Sequence, residues 1–141
     1  MDIKKLLMGG IVAGILFFLL GWLAYGKLLA GFFAAHPGTA MGVDRAEKDI
    51  QFLYLGLGNI LMGFALAYVF VKSNVSSLAS GLVTGGVLGL LFSAGMDCII
   101  YGTTNIMSKT MMAGDVATST VMWAITGAVI GAMMGMGKKA A

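Results

Sequence analysis

Charge is scarce in this chain of 141 residues, with Lys, Arg, Asp and Glu together making up 11% of it. A soluble domain of this length needs a charged coat of roughly a quarter of its residues, so an ordinary water-facing globule is excluded. Cysteine is almost absent. Cys98 stands alone, which rules out an intramolecular disulfide and a cysteine cage for a metal. The only histidine, His36, precedes the only proline, Pro37, and reads as a loop or interface residue. Also missing are a nucleophile elbow, a His-Glu-x-x-His helix, a phosphate loop and a pair of membrane carboxylates. These absences together argue against an enzyme, and no cofactor is expected.

What the chain has in quantity is apolar surface: 59% of residues are hydrophobic and the mean hydropathy is +0.94. Glycine occurs 22 times. It is costly inside soluble helices but common in membrane helices, where it lets neighbouring backbones approach. Disorder and collagen are excluded by the apolar content and the lack of a three-residue period. The net charge of +3 does not indicate nucleic acid. The basic residues stand singly or in the terminal pairs Lys4-Lys5 and Lys138-Lys139, a pattern suited to anionic lipid headgroups.

Four stretches almost free of charge run from Leu6 to Tyr25, Ile50 to Val71, Leu78 to Tyr101 and Val116 to Met136. Each meets the ~20 apolar residues needed to cross a hydrocarbon layer ~30 Å thick. Lipid leaves no partner for irregular backbone, so each must be a helix. The expected fold is all-α, a polytopic membrane protein with one four-helix transmembrane domain over the whole chain. Polar segments separate the helices: His36-Pro37-Gly38 followed by Asp44 to Asp49, then Lys72 to Ser77, then Lys109 to Asp115. Lys4-Lys5 before an apolar run also describes a signal peptide, but the run exceeds the ~7–15 residues of a signal core and lacks a convincing cleavage site, so a retained helix is expected. With four crossings, Lys4, Lys5, Lys72, Lys138 and Lys139 share one side, against Lys27, Arg45, Lys48 and Lys109 on the other. This margin of five against four favours both termini in the cytoplasm, at a bacterial inner membrane, with an inverted or dual topology as the alternative that so narrow a margin leaves open.

Small residues recur at a spacing of four. Gly81, Gly85 and Gly89 form one ladder, which continues through Ser93, Asp97, Tyr101 and Asn105 and so turns from packing to polar. Gly127, Gly131 and Gly135 form a second, while Gly10 and Gly14 mark the first helix and Gly63 and Ala67 the next. Such ladders suit close crossings, inside one chain or between copies. Gly9-Gly10 precedes Tyr25-Gly26 by the interval at which Gly85-Gly86 precedes Tyr101-Gly102. A duplication would make the protein two tandem helical hairpins with both tyrosines at one interface depth; chance coincidence among so many glycines is the competing explanation. The segments Lys27 to Ala35 and Thr103 to Ala113 either extend the helices or lie flat in the interface.

Asp97 is the residue most out of place, because an ionisable group in an apolar span is expensive and usually faces the bundle interior or a water path. Lys27 is the expected partner, with Asn59, Ser93, Tyr101 and Asn105 as candidates for a hydrogen-bond network. The alternative is an aspartate one turn below the interface that serves only orientation or packing. The 12 methionines raise Cu(I) transport, but among Met107, Met111, Met112, Met133, Met134 and Met136 the single Met-x3-Met spacing, Met107 to Met111, has no helper cysteine beside it, and these residues read as apolar filler.

The run Trp22-Leu23-Ala24-Tyr25-Gly26-Lys27, the segments Lys48-Asp49-Ile50 and Ala65-Leu66-Ala67-Tyr68-Val69, and the glycine-rich last helix pair resemble a family of small four-helix bacterial membrane proteins known only as a domain of unknown function. That family carries a Trp-Tyr-Ser-Pro type turn where this chain has Ala24-Tyr25-Gly26-Lys27. The resemblance implies a four-helix membrane fold over nearly the whole chain and transfers no reaction and no functional residue. Three functions follow from the residues themselves. The leading one is a scaffold or accessory subunit, self-associating or docked on a larger membrane complex through the glycine ladders. The others are a small transporter or channel passing Asp97, and a bundle that binds lipid or another apolar ligand.

Overall fold

The computed structural model describes residues 1–136 and is helical throughout its membrane-length elements. Lys138 and Lys139, part of the positive-inside count, lie outside the described residues. Helix α1 spans Ile3–Leu23 and continues as a π turn over Ala24–Leu28; a short α2 covers Ala30–Ala35. A 3-10 turn at Glu47–Asp49 leads into α3, Phe52–Lys72, followed by α4, Leu78–Thr103, and α5, Lys109–Gly135. Four helices are long and apolar enough to cross a membrane, which fits an integral membrane protein.

The helix ends follow local chemistry. Asp2 caps α1 by accepting from the Lys5 amide at 3.1 Å. Ser77 and Ser80 form a capping box at the start of α4, and Asn74, with φ of 54°, makes the left-handed corner of the preceding turn. Ser108 caps α5 by accepting from the Met111 amide at 3.1 Å. This cap corrects the sequence reading, in which Lys109 to Asp115 was the third loop. Thr110, Met111, Met112 and Ala113 contain no breaker, so helix starts as soon as Ser108 satisfies its first amides. Asp115 therefore lies inside α5.

The helices pair in the spatial order α3, α1, α5, α4. The two sequence-adjacent hairpins, α1 with α3 and α4 with α5, make the closest packing, and α1 with α5 joins them. Ala13 and Phe17 of α1, Leu66, Ala67 and Phe70 of α3, and Trp123, Ile130 and Met134 of α5 form the core with Val75. Phe17 and Trp123 meet at 5.0 Å between ring centroids. Helix α4 buries no large apolar side chain fully: its buried residues are Gly81, Gly85, Gly89 and Asp97, while Leu88 packs on the core from its margin and Phe92 stacks on Trp123 with centroids 5.8 Å apart. Leu82, Val83, Val87, Leu90, Leu91, Met96 and Ile99 point outward, an inverted pattern suited to a lipid surround.

Backbone contact holds α4 in place. A Cβ on Gly85 would overlap the carbonyl oxygen of Trp123 and sit 3.0 Å from the Gly127 Cα; one on Gly131 would reach the Gly81 Cα at 2.8 Å. Gly89 lies against Trp123, and Gly135 against the carbonyl of Ser76. Both ladders are thus consumed between α4 and α5 of one chain. The α1/α3 crossing is similar, with Gly14 against the Ile60 backbone, Gly63 against the Gly10 carbonyl and Gly14 amide, and Gly10 against the Phe64 ring. The repeat interval would send Gly10 and Gly14 to Gly86 and Leu90, whereas α4 uses Gly85 and Gly89 at its crossing. The two hairpins cross one residue out of that register, and their tyrosines differ: Tyr25 is tied into the interior while Tyr101 is exposed.

An alanine at Gly85 should destabilise the protein by about 1–3 kcal/mol, the usual cost of overpacking where backbone cannot move aside. Gly95, with nothing within 4 Å of a new Cβ, should tolerate alanine within about 1 kcal/mol. Denaturant unfolding in detergent micelles separates the two cases, and equal effects would remove the crossing from the account.

Candidate functional site: a pair of buried carboxyls

The antiparallel register of α4 and α5 can be followed residue by residue. Gly81 meets Gly131, Gly85 meets Gly127, and Gly89 meets Trp123. Four residues further along each helix Ser93 comes level with Ser119, and four beyond that Asp97 comes level with Asp115. The register sets the two carboxyls side by side, close enough to interact electrostatically. Asp97 is 5% exposed, and its Oδ2 has no hydrogen-bond partner. Each aspartate lies six residues from the nearby helix end, Thr103 or Lys109, about 9 Å along the axis at 1.5 Å per residue.

Tyr25 completes the cluster from α1. Its hydroxyl donates to Asp115 Oδ1 at 2.7 Å and lies 3.1 Å from Ser119 Oγ. The π turn brings it there: the Leu29 amide bonds back to the Ala24 carbonyl at 2.8 Å, and the extra residue in the turn resets the side-chain direction at the end of α1. Such turns recur at functional sites. Ser119 also approaches Asp115 Oδ2 at 3.5 Å, at the outer limit of a hydrogen bond.

A cap closes the cluster at the helix ends. Phe33 packs on Tyr25 with centroids 5.1 Å apart, and Phe32 lies against Gly114 of α5. The segment after α2 is stitched to the α4–α5 loop by Gly38 N to Ile106 O at 3.1 Å, Ala40 N to Asn105 O at 2.9 Å, and Ser108 Oγ to His36 O at 2.7 Å. His36 itself bonds the Phe32 carbonyl through Nδ1 at 2.8 Å. Of the two sequence alternatives, Lys27 to Ala35 is thus part π turn and part short helix, while Thr103 to Ala113 is mostly extension of α4 and α5 around a short loop.

The remaining residues singled out from the sequence fall elsewhere. Lys27 does not reach Asp97; its ammonium lies over the Trp22 ring, 5.5 Å from the centroid. Asn59 donates to its own helix at Leu55 O, and Ser93 to Gly89 O. Tyr101 is exposed and takes no part. The statement that the membrane segments hold no carboxylate pair is overturned by Asp97 and Asp115. Asp115, Ser119 and Tyr25 are the site residues the sequence reading missed, and a signal for two of them exists. The ladder Gly135, Gly131, Gly127 traced backwards at the same spacing reaches Trp123, Ser119 and Asp115, mirroring Gly81, Gly85, Gly89, Ser93 and Asp97.

Two unit charges about 4 Å apart interact by about 4 kcal/mol at an effective dielectric of 20. Among the described residues no side-chain cation is bonded to these carboxyls, so when both are ionised they need positive charge between them, either a shared proton or a bound cation. Among the described residues no group of three or more His, Cys, Asp or Glu forms a metal cage. Beside Tyr25 a cavity of about 670 Å³ opens between α1, α3 and α5, with Phe17, Trp22, Phe52, Asn59 and Met122 among its walls. Comparison with family models, with curated proteins and with solved structures finds no match to this chain.

Replacing Asp97 by asparagine should leave stability unchanged or raise it, because an amide N–H can donate to Asp115 where a second carboxylate repels it. A Lys27→Met change should add to it independently, within about 0.5 kcal/mol. A double-mutant cycle read by unfolding in detergent tests both; strong coupling between the two positions would restore the Asp97–Lys27 pairing.

Proposed function

We propose that the protein is a small integral-membrane carrier whose working site is the Asp97–Asp115 pair, which takes up and releases a proton. The observation that carries this reading is the unpartnered, buried Oδ2 of Asp97 facing a second carboxyl inside an apolar helix pair. Membrane carboxyls that merely orient a helix have no need of a second acid beside them, whereas two acids sharing one proton form a site that changes charge at modest cost. Tyr25 supports it further. Its hydroxyl is bonded to the pair and its ring lines the cavity, so a single O–H connects the carboxyls to the open space beside α1. With the termini in the cytoplasm of a bacterial cell, as the positive-inside count favours, the pair lies near the opposite surface.

The scaffold reading draws on the glycine ladders, and these are spent inside the chain on the α4/α5 and α1/α3 crossings. An assembly surface in that reading falls on the outward apolar faces of α3 and α4 instead. No described feature selects such a face over lipid.

The carrier reading predicts a proton flux into liposomes that hold the protein and a pH-sensitive dye when a membrane potential is imposed. Asp97→Asn and Asp115→Asn should each reduce that flux to the level of empty liposomes, and Tyr101→Phe should not change it. Undiminished flux in Asp97→Asn contradicts the reading.

A further inference from the structure

We infer that the cavity beside Tyr25 binds a lipophilic organic cation whose entry displaces the proton from Asp97 and Asp115; this rests on the carrier reading and adds a ligand that the same proton site responds to. The cavity of about 670 Å³ falls within the ~300–1,000 Å³ of small-molecule sites. Its walls are mainly apolar and aromatic: Phe17, Phe18, Trp22, Phe52, Leu55 and Met122. The polar groups are Tyr25, Lys27, Glu47 and Asn59, and three of these four favour a positive ligand. Glu47 brings a carboxylate. Asn59 gives one amide N–H to Leu55 O at 2.8 Å and offers its side-chain oxygen as an acceptor beside its second N–H. Tyr25 leads to the carboxyl pair through a bond of 2.7 Å.

Lys27 is the exception, and its position strengthens the argument. The ammonium lies over the Trp22 ring, so the aromatic wall already holds a cation, one tethered to the chain. A free cation with an apolar body competes for that ring face, and the long lysine stem lets its head swing out to the interface. Charge is conserved in the displacement. One positive charge enters beside Tyr25 as one proton leaves the Asp97–Asp115 pair for water, and no bond other than that O–H is broken.

Tetraphenylphosphonium and tetraphenylborate share a shape and differ in the sign of their charge, so equilibrium dialysis of both against the full chain in detergent, with protein-free micelles as reference, tests the site. The phosphonium should bind about tenfold more tightly than the borate. Trp22→Leu and Glu47→Gln, both at exposed positions, should weaken the phosphonium several-fold, and Lys27→Met should tighten it. Borate bound as well as phosphonium overturns the inference. So does weakening by Lys27→Met, the outcome expected if the cavity held a zwitterionic lipid with its phosphate on Lys27. Proton release on phosphonium binding, followed with an indicator dye in weak buffer, should approach one per cation and vanish in Asp97→Asn. Binding without release in the unaltered protein overturns the displacement and counts against the carrier reading, whereas a flux that survives without charge preference in binding removes only the ligand.

Discussion

The backbone-to-backbone contact of α4 with α5 at Gly81, Gly85, Gly127 and Gly131 is the constraint on which the site depends. No large apolar side chain of α4 is fully buried; Leu88 and Phe92 touch the core only from its margin. Lipid is as apolar as leucine, so burying more leucine would gain little, and close van der Waals approach at glycine does the work instead. That approach has a geometric consequence. Two helices that touch through every fourth residue carry a fixed register along their whole length, and a register set by glycine at one end determines which side chains meet at the other. Here the side chains that meet are two aspartates.

Such a site has opposing requirements. The crossing draws the carboxyls together, while like charges in a medium of low dielectric resist it. Tyr25 relieves part of the conflict by donating to Asp115, and its placement depends in turn on the π turn that ends α1. Asp97 keeps an oxygen without a partner. A pair of carboxyls short of a single positive charge is the feature on which the proposed proton site rests. The aromatic cap of Phe32 and Phe33 and the hydrogen bonds of 36–40 to 105–108 close the helix ends over this cluster, with the cavity beside Tyr25 on its flank.

Much of the architecture is legible without coordinates. Long apolar runs bounded by polar turns define the four membrane-length helices because the thickness of hydrocarbon sets their length, and the glycine ladders mark the surfaces that touch. Asp97 is legible too, as a charge in an apolar stripe. Asp115 is not, for a physical reason: it follows Lys109 and precedes the apolar run from Val116, so composition assigns it to a loop, and only the Ser108 cap draws it into the helix. Lys27 is misleading in the opposite sense. It is the nearest cation along the implied repeat, yet the tyrosine before it occupies the space near the acids while the ammonium turns to Trp22. The mirror order of glycine, serine and aspartate on the two stripes holds the pairing in the sequence, once both ladders are followed past their glycines.

Cross-linking tests the register most directly. With Cys98 replaced by alanine, cysteines at positions 97 and 115 should form a disulfide within one chain under mild oxidation, while cysteines at 97 and 27 should stay reduced. Bonding of 97 to 27, or cross-links formed only between chains, would contradict an α4/α5 crossing that sets Asp97 against Asp115.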